Sequence, residues 1–175
     1  MIAAVVLAAG AASRFGSPKQ KVLLQPVVDR VRRSESVHEI VVVLGAHDVE
    51  TDARTVHCPD WERGPGASLR CGVVALSHKV EAAVVVLGDG PTLDPRAIDR
   101  VVGAWRETGA ERIGATYGGV RLHPLLIARS AWEEIPDAGL RALPAELVPC
   151  DDLEPPGDVD FADEMPGRWP PNPAE

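Results

Sequence analysis

The chain has 175 residues, of which 45% are apolar and 25% are charged. These proportions are typical of a globular domain and exclude a disordered or fibrous chain. No apolar run approaches the roughly 20 residues that a membrane-spanning helix requires. The net charge of −8 argues against a nucleic-acid-binding protein, because contacts with phosphates normally require a basic surface.

Three continuous apolar runs are the clearest structural signal, and they cover residues 2–7, 39–44 and 82–87. Runs without polar alternation are typical of strands that are buried on both faces of a parallel sheet. Helical patterns lie between the runs, which indicates βαβ units. The predicted fold class is therefore α/β, a single three-layer domain with a mainly parallel, Rossmann-like sheet.

The clearest helix is predicted after the third run, with Asp94 as N-cap, Pro95 at its first position and Gly109 at its end. Two other helices are predicted, one over residues 68–78 and a shorter one that begins at Pro26. Weaker strands are predicted near residues 113–116, 125–128 and 146–148. Proline, glycine and acidic residues dominate from residue 154 onward, so we predict a domain over residues 1–165 and a Pro-rich tail over residues 166–175.

A glycine-containing loop follows the first predicted strand and reads LAAGAASRFGSPK over residues 7–19. Ligands of open parallel sheets bind where the strands end. Small residues allow backbone N–H groups to approach an anion, and Arg14 and Lys19 add two cations. The loop therefore predicts a triphosphate site, although it is neither a P-loop nor a dinucleotide fingerprint. The alternative is a flexible connection with two incidental charges.

This loop resembles the L-A-A-G-x-S-x-R-M-G-x-P-K signature of MobA-like nucleotidyltransferases, and it is most similar to the molybdenum cofactor cytidylyltransferases among them. Four further segments resemble later family motifs in the same order, namely residues 61–72, 87–91, 123–126 and 158–160. The departures are Phe15 for a methionine, Gly90 for a common glutamine, Leu122 for a glycine, and residues 161–164 for T-P-E-D. Residues 19–26 and 140–147 are also shorter than the family pattern, so we expect either deletions or breaks in the observed chain there.

The resemblance implies a nucleotidyltransferase, glycosyltransferase-A-like fold that couples CTP to the phosphate of molybdopterin and releases pyrophosphate. It implies catalytic roles for Arg14, Lys19 and Asp89, and a Mg²⁺ site at Asp89 and Asp160, with Asp158 as a substitute for Asp160. The nucleotide-binding residues that it implies are Leu7, Ala8, Ala9, Gly10, Ser13, Arg14, Lys19, Gly64, Ser68, Leu69 and Asp89. His123 would lie on the acceptor side.

Simpler interpretations exist for three of these residues. Asp89 could be a turn residue, Ser68 could cap a helix, and His123 could be structural. The partners implied by the resemblance are CTP, molybdopterin and a molybdoenzyme, without nucleic acid or membrane.

Other functions remain open. The acceptor could be another phosphate, the donor could be GTP, or the protein could be a non-catalytic carrier of molybdenum cofactor. The L-A-A-G loop together with the Ser68–Leu69 pair resembles the cytidylyl branch rather than the guanylyl branch.

The three cysteines are Cys58, Cys71 and Cys150. They form no C-x-x-C pair, and their number is odd. This pattern argues against a disulfide framework or a zinc site, and it favours a reducing, cytoplasmic location.

Overall fold

The computed structural model describes residues 1–11 and 20–157. In this part of the chain the strands are β1 Ile2–Ala8, β2 Glu39–Leu44, β3 Arg54–His57, β4 Ala82–Leu87, β5 Arg112–Tyr117, β6 Val120–Ala128 and β7 Glu146–Pro149. The α-helices are α1 Gln20–Arg32, α2 Pro65–Val74 and α3 Pro95–Thr108. Two short 3-10 helices cover Trp61–Arg63 and Arg129–Glu134.

The described strands form one sheet in the order β3-β2-β1-β4-β6-β5-β7. The pairs β1–β2, β1–β4, β2–β3 and β5–β7 are parallel, whereas β6 is antiparallel to both of its neighbours. The predicted, mainly parallel sheet is thus confirmed. Because β6 runs in the opposite direction, its first residues lie at the edge where β1, β2 and β4 end, and we call this the carboxyl edge.

Both faces of the sheet are covered, as the continuous apolar runs predict. Ala4 and Val6 of β1 belong to the apolar cluster under α1 and α3. Ala3 and Val5, which alternate with them, belong to the cluster under α2 and the 3-10 helix Arg129–Glu134. Alternate side chains of a strand point to opposite faces, so β1 is buried between two helical layers. The three-layer α/β architecture is confirmed.

Helix α3 begins and ends at the predicted residues. The Asp94 side chain accepts a hydrogen bond from the Arg96 backbone N at 2.9 Å, and Pro95 occupies the first turn. The Arg96 guanidinium holds the pKa of the Asp94 carboxyl below its usual range. Gly109 ends the helix in the left-handed region with a φ of 67°, a conformation that costs glycine little.

The other two helices begin earlier than predicted. Helix α1 begins at Gln20 and continues through Pro26, because the residues before the proline include Leu23 and Leu24, both fully buried. The gain from burying two leucines offsets the backbone hydrogen bond that proline removes. Helix α2 begins at Pro65, so Ser68 lies inside the helix and is not its N-cap. Proline favours the first helical position. The prediction overlooked this signal because it followed the apolar residues alone.

The structure shows no chain break in either stretch that is short relative to the family pattern. Residues 20–26 belong to one helix. Residues 140–143 form a turn that is closed by a hydrogen bond from the Leu143 N to the Leu140 O at 3.1 Å. The chain is thus continuous through residues 20–26 and 140–143.

A disulfide joins Cys58 to Cys71, and Cys150 is a buried free thiol. The expectation that all three cysteines are unpaired is therefore wrong. The fold brings the end of β3 against α2 with a Cα–Cα separation of 5.7 Å, within the range of disulfides. Because this proximity is tertiary, the count and spacing of the cysteines did not reveal it.

We expect the disulfide to stabilise the protein by restricting the conformations of the unfolded chain. A closed loop of about 15 residues corresponds to about 3 kcal/mol in the chain-entropy model, and the cysteines are separated by 13 residues. Denaturant unfolding should show a lower midpoint for the wild type with reductant than without it. The double variant C58A/C71A should not respond to reductant. Two reactive thiols at these positions in the untreated protein would contradict the prediction.

Candidate nucleotide-binding site

The carboxyl ends of β1 and β4 lie side by side at the centre of the carboxyl edge. The Gly88 N donates a hydrogen bond to the Leu7 O at 2.9 Å. A Cβ added to Gly88 would lie 3.1 Å from the Cβ of Ala8, so a larger residue would separate the two strand ends. This contact brings the beginning of the glycine-containing loop close to Gly88, the residue before Asp89.

The first residues of the loop after β1 are fixed by the loop after β2. The Ala9 O accepts a hydrogen bond from the Ala46 N at 3.0 Å, and the His47 Nε2 donates to the Ala11 O at 2.9 Å. Between these two residues, no described atom lies within 4 Å of a Cβ added to Gly10. The residues that the structure describes, 1–11 and 20–157, therefore leave room beside the Gly10 backbone. The predicted ligand residues Ser13, Arg14 and Lys19 lie outside the described residues.

The segment that leads into α2 lies against the same loop. Gly45 lies under Trp61, since a Cβ added to Gly45 would lie 2.6 Å from the Trp61 Cγ and 2.7 Å from the Ala9 O. Gly64 precedes α2 with a φ of 129°. Ser68 is 4% exposed and Leu69 is 1% exposed. Leu69 belongs to the apolar cluster that packs α2 against the sheet, and the Ser68 N donates to the Gly64 O at 3.4 Å. The nucleotide contacts of Ser68 and Leu69 stay a prediction.

A segment that sequence reasoning missed holds the beginning of α2 in place. The Asp137 carboxylate accepts hydrogen bonds from the guanidiniums of Arg70 and Arg63, which hold its pKa below the usual range. The Asp137 O accepts a hydrogen bond from the Gly66 N at 2.9 Å. No motif marks Asp137, and its partners lie about 70 residues earlier in the chain, so only the fold could reveal it.

His123 lies at the beginning of β6, on the carboxyl edge. Its Nδ1 is 3.1 Å from the Val85 O, and a carbonyl oxygen only accepts, so Nδ1 carries the hydrogen. Burial lowers the pKa of His123, which favours the neutral ring with an unprotonated Nε2 at neutral pH. The charge of Asp89 opposes this lowering of the pKa of His123, and the acceptor-side role of His123 stays a prediction.

The chain after β7 returns along the carboxyl edge to the loop of Asp89. Thr92 donates from its Oγ1 to the Pro155 O at 2.6 Å and from its N to the Pro156 O at 3.1 Å. A Cβ added to Gly90 would lie 3.3 Å from the Gly157 O. Asp158 and Asp160 lie outside the described residues, but they follow Gly157 by one and three residues.

Within residues 1–11 and 20–157, no group of three or more His, Cys, Asp or Glu side chains could hold a metal ion. Asp89 is the one member of the predicted Mg²⁺ pair that the structure describes. In the same part of the chain, no helix has the length and apolar character needed to cross a membrane.

The arrangement of strands, loops and Asp89 is that of a nucleotidyltransferase domain. A model of the MobA-like NTP transferase domain matches residues 4–147, and the chain belongs to this family. The proposed resemblance is thereby confirmed at the level of the family.

Individual relatives agree with this assignment. The bifunctional protein GlmU of Sorangium cellulosum is 32% identical over 129 residues, which are 62% of this chain and 27% of GlmU. The chain thus spans about a quarter of the length of this curated relative.

Solved structures are similar over nearly the whole chain. A homologue of Mycobacterium tuberculosis Rv0371c from Mycobacterium sp. strain JC1 has a TM-score of 0.77 at 25% identity, over 93% of this chain and 91% of that one. Rv0371c of M. tuberculosis H37Rv in complex with manganese has a TM-score of 0.70 at 25% identity, over 93% and 94%. The molybdopterin-guanine dinucleotide biosynthesis protein A of Archaeoglobus fulgidus, at 17% identity and a TM-score of 0.63 over 87% and 85%, shares the fold.

We expect the variant D137N to loosen the beginning of α2. Its two arginine partners would lose their carboxylate, so the melting temperature should fall and amide exchange over residues 63–70 should accelerate. Salt screens exposed ion pairs, so the difference in melting temperature between D137N and the wild type should shrink in about 1 M NaCl. D60N, at an exposed aspartate without a capping bond, is the control. Unchanged exchange in D137N would contradict the role of Asp137.

Proposed function

We propose that the protein transfers CMP from CTP to the phosphate of molybdopterin and releases pyrophosphate. The observation that carries this proposal is the close approach of β1 and β4, which brings the loop beginning at Gly10 next to Asp89. Membership of the MobA-like NTP transferase family supports nucleotidyl transfer. The fold shared with a molybdopterin-guanine dinucleotide biosynthesis protein is compatible with a molybdopterin acceptor.

The reaction is a displacement at the α-phosphorus of the nucleotide. An oxygen of the acceptor phosphate forms a bond to this phosphorus, and the bond to the bridging oxygen of pyrophosphate breaks. Such reactions need positioning and charge neutralisation rather than covalent chemistry by the protein. We assign this work to backbone N–H groups of residues 9–13 and to the cations of Arg14 and Lys19. A planar guanidinium suits phosphate oxygens.

Asp89 suits a divalent ion that is shared with the substrate. Mg²⁺ is usually held by one or two carboxylates together with substrate phosphates, so Asp89 and one further carboxylate would suffice for this ion. The path of residues 155–157 along the loop of Asp89 supports Asp160, or Asp158, as the second carboxylate. The manganese complex of Rv0371c supports a divalent ion. When bound, the ion would neutralise charge on the α-phosphate and on the leaving pyrophosphate.

The choice of CTP rests on the resemblance of the L-A-A-G loop and the Ser68–Leu69 pair to the cytidylyl branch. GTP as donor, another phosphate acceptor, and a non-catalytic carrier are the competing assignments. On the same resemblance, we propose a molybdoenzyme as the partner that receives the product. We also propose the cytoplasm as the location, although the Cys58–Cys71 disulfide removes the cysteine argument that favoured it.

The assay that tests the proposal measures pyrophosphate release from purified protein with CTP, Mg²⁺ and molybdenum cofactor, with GTP in a parallel reaction. We expect release with CTP and less with GTP. Binding of CTP without release would reject this acceptor but retain the nucleotide site. Release with GTP alone would reject the assignment of the base.

We expect D89N to reduce turnover strongly and to leave the fold intact. The amide keeps the size of the side chain but removes the negative charge that holds the ion, and loop positions contribute little packing energy. The control is D48N, because Asp48 also follows a parallel strand at the carboxyl edge and is exposed. Turnover and thermal melting are measured together. Wild-type turnover in D89N would identify Asp89 as a turn residue.

We expect R14A to lower turnover by roughly 10²-fold, if its contact with the triphosphate strengthens in the transition state. CTP binding should weaken less, since backbone N–H groups still hold the phosphates. Steady-state kinetics and equilibrium binding of CTP distinguish the two effects. Equal losses in binding and in kcat/KM would show that Arg14 contributes uniform binding only.

A further inference from the structure

Trp61 is a partly buried aromatic residue at the carboxyl edge, and the mechanism above gives it no role. It is the first residue of the short 3-10 helix in the connection between β3 and α2. A Cβ added to Gly45 would lie 2.6 Å from the Trp61 Cγ, 2.7 Å from the Trp61 Cβ and 2.7 Å from the Ala9 O. The side chain of Trp61 therefore lies over Gly45, beside the backbone that leads into Gly10.

The strand order puts Trp61 on one side of the loop after β1 and the proposed metal carboxylate on the other. Gly45, under Trp61, follows β2, which is one neighbour of β1. Asp89 follows β4, the other neighbour of β1, and His123 belongs to β6, which lies beyond β4. A nucleotide whose α-phosphate lies near Asp89 and the acceptor therefore has the side of β2, where Trp61 lies, left for its nucleoside.

Three contacts hold the segment that carries Trp61. The Gly64 N donates a hydrogen bond to the Trp61 O at 3.2 Å. The guanidinium of Arg63 forms an ion pair with the Asp137 carboxylate at 3.1 Å. The Cys58–Cys71 disulfide joins the residue after β3 to α2, so it closes the loop that contains Trp61. An aromatic side chain that is held in advance loses little conformational entropy when a ligand binds to it.

The Trp61 indole also keeps an unused hydrogen-bond donor. Its Nε1 has no acceptor in the part of the chain that the structure describes, whereas the Trp132 Nε1 donates to the Ile127 O at 3.4 Å. Trp132 packs against the same apolar cluster as Trp61, so the two residues differ in this donor rather than in their general surroundings. Buried indole N–H groups usually find a partner. The unused donor on a partly exposed ring is therefore a second feature that suits a ligand.

We propose that Trp61 stacks against the base of the donor nucleotide. The inference rests on the proposed nucleotidyl transfer and adds to it a residue that binds the nucleoside. Every nucleobase has a π face, so the stack contributes affinity for CTP and GTP alike and does not select between them. A nucleotide held at its phosphates by the loop after β1 and at its base by Trp61 keeps the α-phosphorus in one place for attack.

The test compares W61L with the wild type in calorimetric titrations with CTP and with GTP in the presence of Mg²⁺. We expect the Kd for both nucleotides to rise by about tenfold or more, because one base–aromatic stack is lost. W61F should recover part of the affinity, since a phenyl ring still stacks. W132L is the matched control, because Trp132 packs against the same cluster but contacts β6 near the opposite edge of the sheet. An unchanged Kd in W61L, or a rise for one nucleotide alone, would overturn the proposal.

Inorganic tripolyphosphate, which lacks a nucleoside, separates a stack on the base from support of the loop. If Trp61 stacks on the base, W61L binds tripolyphosphate as the wild type does. Equal losses of affinity for tripolyphosphate and for CTP would show that Trp61 only supports the loop after β1, and they would overturn the proposal. Thermal melting of each variant identifies any loss of fold, and W61F retains a ring in the same place if W61L does not fold.

Tryptophan fluorescence gives a direct readout of the stack. We expect CTP to quench the emission of the wild type and of W132F, and to quench that of W61F much less, because Trp61 is the indole in contact with the base. Equal quenching in W61F and in the wild type would overturn the contact.

These titrations contain no acceptor, so their outcome does not depend on the choice of molybdopterin. Nucleotide binding that W61L weakens supports the stack even if no pyrophosphate is released with molybdenum cofactor, in which case only the proposed acceptor fails. If the wild type releases pyrophosphate and W61L binds CTP equally well, the proposed function stands and the stack is overturned. A wild type that binds neither CTP nor GTP overturns both.

Discussion

The contact between the ends of β1 and β4 is the constraint on which the rest of the site depends. Gly88 lies so close to Ala8 that a methyl group would meet the alanine side chain at 3.1 Å. The loop that begins at Gly10 and the loop of Asp89 consequently leave the sheet from one point. A phosphate that approached one loop would lie near the carboxylate of the other, and this is the geometry that nucleotidyl transfer needs.

Close packing against glycines also occurs farther from the ends of β1 and β4. Gly45 allows Trp61 to lie against the loop after β1, and Gly66 accommodates the backbone of Pro136, whose oxygen would lie 1.7 Å from an added Cβ. The Arg121 guanidinium holds the turn of residues 140–143 through three backbone carbonyls, and Asp137 holds the beginning of α2. Close backbone packing at glycines thus fixes the loops after β1 and β2, whereas side-chain hydrogen bonds fix this turn and the beginning of α2.

Strands β1, β2 and β4 and the limits of α3 could be predicted from the sequence, because continuous apolar runs and helix caps are local signals. The edge strand β3 could not, since its four residues are mostly exposed and carry no apolar run. The beginnings of α1 and α2, the disulfide and Asp137 depend on tertiary contacts between distant residues. The position of Asp89 followed from the strand that precedes it, whereas the contacts of Arg121 with the turn of residues 140–143 depend on the antiparallel pairing of β6 with β5.

The hydrogen bonds of Thr92 to Pro155 and Pro156 have a consequence for synthesis of the protein on the ribosome. The Thr92–Pro155 bond joins residues 63 positions apart, and β4 also needs β6 as its neighbour. Strands β1, β2 and β3 can pair as soon as they emerge, but the loop of Asp89 is completed only after the chain has been extended past residue 156. A chain that ends before residue 155 would therefore lack both partners of Thr92, and the loop that carries Asp89 would lose these two hydrogen bonds.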